Sequence, residues 1–222
     1  MKQSSWKDLF RIGGAAQVIA GLLYLALVVI LVQVGGLPTN GAALLHSIAS
    51  KAALMQSTMI LFIVIDLCLL TAAFPALFLA LKELNRAWSL IATVFASVAL
   101  LLDIIEGLVV YSLPAFATSS LAAPGATQPT YVIIGDLLYR YIWTIQSPFE
   151  VILLSLAVLI LSLVMLKGPF QKFTAFGGMV LGAIGMVGGF LGRIEPLLLL
   201  LLWHLATGIQ VYRLGSSREK II

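Results

Sequence analysis

From Gly13 to Tyr212 the chain is a succession of apolar runs broken only by short polar turns. A helix crossing the hydrocarbon core of a bilayer needs about 20 apolar residues, and backbone inside lipid must satisfy its own hydrogen bonds. The pattern therefore predicts an all-α, polytopic membrane helix bundle. Composition points the same way. Of 222 residues 61% are hydrophobic and 10% charged, whereas a soluble domain carries about 45–50% and about 25%. This excludes a soluble domain, a disordered chain and a disulfide scaffold. Cys68 is the single cysteine, so no intrachain disulfide or thiol-based metal site can form.

Six transmembrane helices are expected, at 13–34, 52–81, 87–111, 147–166, 174–191 and 197–212, in a single integral membrane domain over 1–222. The first run exceeds the about 7–15 residues of a signal-peptide core and reads as a span. Gly35 to Asn40 reads as a turn with Asn40 as cap. A short interfacial helix at 41–51 precedes span two, and a tight polar turn at 82–86 follows it. Residues 112–129, rich in Ala, Ser, Thr and Pro, read as the longest and most mobile loop. A second interfacial helix is expected at 131–146, with Pro148 dividing it from span four.

Basic residues fix the orientation. With the N-terminus inside, ten lie on the cytoplasmic side (Lys2, Lys7, Arg11, Lys82, Arg86, Lys167, Lys172, Arg213, Arg218, Lys220), and Lys51, Arg140 and Arg193 lie outside. That is a positive-inside bias, and it predicts a bacterial inner membrane protein with both termini cytoplasmic. The net charge of +4 is thereby a topology signal, with no basic stripe for nucleic acid.

Two helix faces stand out. Span five carries three G-x-x-x-G spacings, at 178/182, 185/189 and 188/192, which suit close backbone packing. Span one has Gly14, Gln17, Gly21 and Tyr24 along one stripe. In span three Ser89, Ala92, Ala96, Ala99, Asp103 and Glu106 follow at helical spacing. Small residues turn inward, so the two acids should too.

Ionisable side chains inside a membrane cost about 2.5–3.5 kcal/mol each at a helix centre and mark functional sites by default. At 1.5 Å rise per residue, Asp66 and His204 fall near the midplane, with Asp103, Glu106 and Glu150 roughly 6–10 Å further out. These five are the candidate catalytic residues, and Gln56, Trp143, Arg140 and Arg193 are the candidate substrate-binding residues. Asp136 and Arg140, four apart, are expected to pair, as are Arg193 and Glu195. Four carboxyls then share one histidine. Some are protonated, or a cation sits among them, or water fills the cavity, and each case implies an outward-opening polar cavity. His46 reads as a solvated surface histidine.

No H-E-x-x-H, Glu-x-x-His pair, G-x-S-x-G, P-loop or dinucleotide fingerprint occurs. No mid-span lysine or second buried histidine offers a retinal or bis-histidine haem site. Cofactor and metal stay undefined, although carboxylates with one imidazole suit a hard cation. The expected surroundings are the lipid bilayer, a lipophilic small molecule or cation, and an oligomer or complex partner.

Several segments resemble a large bacterial family of six-span membrane proteins known only as a domain of unknown function. They are Arg11-Ile12 with Ala20-Gly21-Leu22-Leu23-Tyr24-Leu25, Ala42-Ala43-Leu44-Leu45, the Asn85-Arg86 turn, and Lys167-Gly168-Pro169 ahead of a glycine-rich span. The resemblance implies the six-span fold and no activity. Three functions remain open: acid–base chemistry on a lipid-soluble substrate, a small cation- or proton-coupled transporter, and an accessory or sensor subunit of a membrane complex.

Overall fold

The computed structural model describes residues 2–34, 40–122, 124–125, 128–191 and 197–216. All regular structure among them is helical: α1 (Lys2–Val34), α2 (Gly41–Ser50), α3 (Ala52–Cys68), α4 (Phe74–Ala122), α5 (Gln128–Tyr139), α6 (Ser147–Met165), α7 (Lys172–Phe190) and α8 (Leu197–Ser216). A first π turn (Leu69–Ala73) joins α3 to α4, and a second (Arg140–Gln146) joins α5 to α6. The expected turns at 35–39 and 192–196, with Arg193 and Glu195, lie outside the described residues.

Four stretches are long and apolar enough to cross a membrane: Trp6–Leu27, Ala52–Ser120, Gln128–Met165 and Lys172–Phe190. The second is a hairpin. At Asn85 the backbone leaves the helix (φ −162°, ψ 93°), and the Asn85 side chain accepts from the Trp88 N–H at 3.2 Å, capping the returning arm. The two arms then run antiparallel. A Cβ on Gly107 would lie 3.0 Å from Ile63, and Gln56 Nε2 reaches the Tyr111 carbonyl at 3.5 Å. The polar turn expected at 82–86 thus contracts to one residue.

Helices in lipid gain nothing from hiding apolar surface from one another, so close packing of small residues holds them. Along the α1–α8 seam Gly14 lies against Gly208 and Tyr212, Gly21 against Leu201 and Leu205, and Gly215 against Lys7. A Cβ on Gly208 would sit 2.9 Å from the Gly14 carbonyl. These pairs run in opposite order along the two helices, so the first and last helices are antiparallel neighbours. Similarly Gly182, Gly185 and Gly189 of α7 rest on Ser155, Leu159 and Ile152 of α6. Outward faces are apolar instead: Ile19, Leu22 and Leu25 on α1, and Val94, Val98, Leu101, Ile105 and Leu108 on α4, are all exposed. Soluble monomers rarely expose contiguous apolar surface beyond a few hundred Å². These stripes are compatible with acyl chains as their surroundings.

Three expectations need correction. Residues 112–122 are helix, not loop. Leu113 and Ala117 are buried against Leu44, Leu45 and Ile48 of α2, and this packing overrides a loop-like composition. Pro114 is accommodated inside the helix, its own carbonyl accepting from Thr118 Oγ1 at 2.8 Å. Next, α2 is half core and not merely a surface helix, although its Asn40 cap forms as expected, accepting from the Ala43 N–H at 2.8 Å. Finally, Asp136 does not pair with Arg140. Its Oδ1 accepts from the Gly41 N–H at 2.8 Å, at the positive end of α2. Arg140 instead opens the second π turn, exposed.

Candidate functional site

Each π turn is followed at its second residue by a proline, Pro75 or Pro148. Proline lacks an N–H and crowds the carbonyl four residues back, and widening the preceding turn relieves that crowding. The Phe74 N–H accordingly bonds the Leu69 carbonyl. The Ser147 N–H bonds the Ile142 carbonyl. Such bulges recur at functional sites. Here each lies within a turn of a buried acid: Asp66 precedes the first, and Glu150 follows the second.

Asp66 is fully buried. The Tyr24 hydroxyl of α1 donates to its Oδ1 at 3.0 Å. Its Oδ2 is buried without a hydrogen-bond partner, and the Asp103 carboxyl of α4 lies close enough to interact with it. Two carboxyls brought together away from water repel one another when both are charged, which favours a proton on one of them. Glu106 and Glu150 both lie close enough to Asp103 to feel its charge. Asp103 is the hub of the group.

The other two acids are held by neutral donors from the second π turn and the start of α6. Ser147 Oγ lies 3.0 Å from Glu106 Oε2 and 2.9 Å from the Ile142 carbonyl. One hydroxyl proton cannot serve both, so Ser147 can either donate to Glu106 or accept from it. Gln146 Nε2 donates to Glu150 Oε1 at 2.9 Å and to the Leu102 carbonyl at 2.8 Å, leaving its own Oε1 buried without a partner.

Of the five expected catalytic residues, the fold gathers Asp66, Asp103, Glu106 and Glu150 from α3, α4 and α6. His204 stands apart. The glycine seam brings α8 against α1, which interposes Tyr24 between the imidazole and the acids. His204 stacks on Tyr24 (centroids 6.5 Å, 22°) and meets Phe74 at 6.1 Å and Trp203 at 5.3 Å edge-on. Its Nδ1 is buried without a partner. Among the described residues the one ion pair is Lys82–Glu83 at 3.8 Å, so none of the four acids has a cationic partner there.

Of the expected substrate-binding residues, the structure describes the side chains of Gln56 and Arg140. Gln56 lies ten positions before Asp66, about 15 Å along a helix, and Arg140 is exposed. The Trp143 side chain and Arg193 fall outside the described residues. Reasoning from sequence missed Gln146 and Ser147, although a polar pair just before Pro148 was the available signal. Tyr24 was visible on its stripe, but without a role.

Among the described residues no three His, Cys, Asp or Glu side chains converge as metal ligands. What the arrangement offers is four carboxyls without countercharge among the described residues, beside aromatic rings, with a phenol on Asp66, a hydroxyl on Glu106 and an amide on Glu150. Carboxyls held in this way can bind and release protons. Comparison with protein-family models, curated proteins and solved structures gave no match for this chain.

Proposed function

We propose that this is a six-span protein of a bacterial inner membrane, with both termini cytoplasmic, of the kind its turn motifs resemble. In this reading the carboxyl cluster is a proton-exchange site and the protein a proton-coupled carrier of a small lipophilic cation. The observation that carries it is the gathering of Asp66, Asp103, Glu106 and Glu150, whose side-chain donors among the described residues are the neutral Tyr24, Ser147 and Gln146. Charge in a membrane interior is costly, so protons neutralise such a cluster until another cation replaces them. Aromatic faces beside the acids, Tyr24 with Phe62 at 5.9 Å among them, suit an organic cation. Irregular helices at a central site are a transporter habit, and the two π turns supply local irregularity without interrupting the helix.

Unpartnered atoms favour a second reading. Asp66 Oδ2 and Gln146 Oε1 are buried acceptors that a hydroxyl of a lipid-soluble substrate would satisfy, with the acids as proton donors.

Tetraphenylphosphonium added to the purified protein in weakly buffered detergent tests the carrier reading. It should bind and release protons into solution, and Asp103→Asn should abolish the release. Binding without proton release, or no binding at all, contradicts proton–cation exchange.

A further inference from the structure

Away from the acids, an apolar groove of about 400 Å³ runs between α7 and α8, within the about 300–1,000 Å³ range of small-molecule sites. Phe173, Phe176 and Val180 line one side and Leu202 and Ala206 the other, over a floor formed by Trp203. The groove exists because α7 spends its glycine face on α6. Gly177 instead points where nothing lies within 4 Å. The floor is fixed, since the Trp203 indole N–H donates to Ser162 Oγ of α6 at 3.2 Å.

One end of the groove is polar and basic. The Gln210 side chain accepts from the Gln171 N–H at 2.7 Å and donates to Thr174 Oγ1, which levels the start of α7 with the last turns of α8. Arg213 continues the α8 stripe of Leu202, Ala206 and Ile209, and Lys172 lies one turn before Phe176 on α7. Both cations are exposed, and among the described residues neither is within ion-pair distance of an acid.

We propose that this groove binds an anionic phospholipid, one acyl chain lying over Trp203 and the phosphate held between Lys172 and Arg213. The lining from Phe173 to Leu181 extends about 12 Å at 1.5 Å per residue. One leaflet of hydrocarbon is about 15 Å deep, half of a roughly 30 Å core. Groove length and the basic end therefore match one lipid of one leaflet, chain and headgroup together. The inference rests on the membrane-embedded reading and is independent of any proton role for the acids.

The test uses the full chain in phosphatidylcholine liposomes carrying a minor fraction of lipid with brominated chains, which quench nearby indoles. Trp203→Phe protein identifies the Trp203 component. Brominated phosphatidylglycerol should quench it in preference to brominated phosphatidylcholine by about thirtyfold, the ratio expected for two cations meeting a lipid anion. Lys172→Gln/Arg213→Gln should remove the preference, and Gly177→Phe should remove the quenching by filling the groove. Both changes face away from the bundle, so both variants should elute as the parent does. Asp103→Asn should quench like the parent, which separates this site from the acidic cluster. Equal quenching by the two lipids, or a preference unchanged in the double variant, overturns the proposal.

Discussion

The Tyr24 hydroxyl donates to Asp66 Oδ1 at 3.0 Å, tying α1 to the last turn of α3 just ahead of a π turn. The same ring stacks on His204. Tyr24 is therefore both a donor to the acids and the wall that keeps the imidazole from them.

Tyr24→Phe keeps the wall and removes the donor. Hydrogen bonds between membrane helices contribute about 0.6 kcal/mol on average and at most about 1.7 kcal/mol. A loss in that range is expected in reversible unfolding from mixed micelles, with the fold retained. His204→Phe, which preserves ring packing, should leave proton release on cation binding intact. Loss of release in His204→Phe would place the imidazole in the proton path after all.

The glycine face of α7 gives a sharper contrast. A Cβ on Gly182 would lie 2.8 Å from the Ser155 carbonyl and 2.9 Å from Leu159 N, whereas one on Gly177 meets nothing. Gly182→Leu should cost at least the about 1–3 kcal/mol of an overpacked core, read as a lower melting temperature in detergent. Gly177→Leu should melt with the parent. Equal behaviour of the two variants would show that the α6–α7 seam is not packed as described.

Threading is checked by cysteine labelling in a Cys68→Ala background. Ser119, exposed near the end of α4, and Gln171, exposed just before α7, should label from opposite sides of the membrane, with Ser119 outside. Labelling of both from one side would end the six-span arrangement.

The helices and their seams were readable because small residues and breakers act locally. The polar run 82–86 marks a turn wherever it sits, and Gly14, Gly182 and Gly185 advertise close approach by spacing alone. The inward acids of α4 followed from the same stripe as Ala92, Ala96 and Ala99. What failed was non-local. Residues 112–122 are helical because Leu113 and Ala117 meet α2, a contact that no property of 112–129 announces. Asp136 bonds the start of α2, 95 positions away, in preference to its neighbour Arg140. His204 has the right depth for the acids, but depth along a helix does not fix the side it faces, and the glycine seam with α1 turned it onto Tyr24.

The carrier reading requires that the group around Asp66 and Asp103 hold a proton, and infrared spectroscopy of the purified protein tests that requirement. A carbonyl stretch of a protonated carboxylic acid should be present in the parent, diminish in Asp103→Asn, and shift in Tyr24→Phe as Asp66 loses its phenol donor. A parent spectrum without a protonated-carboxyl band, or a band unchanged in both Asp66→Asn and Asp103→Asn, would contradict the account.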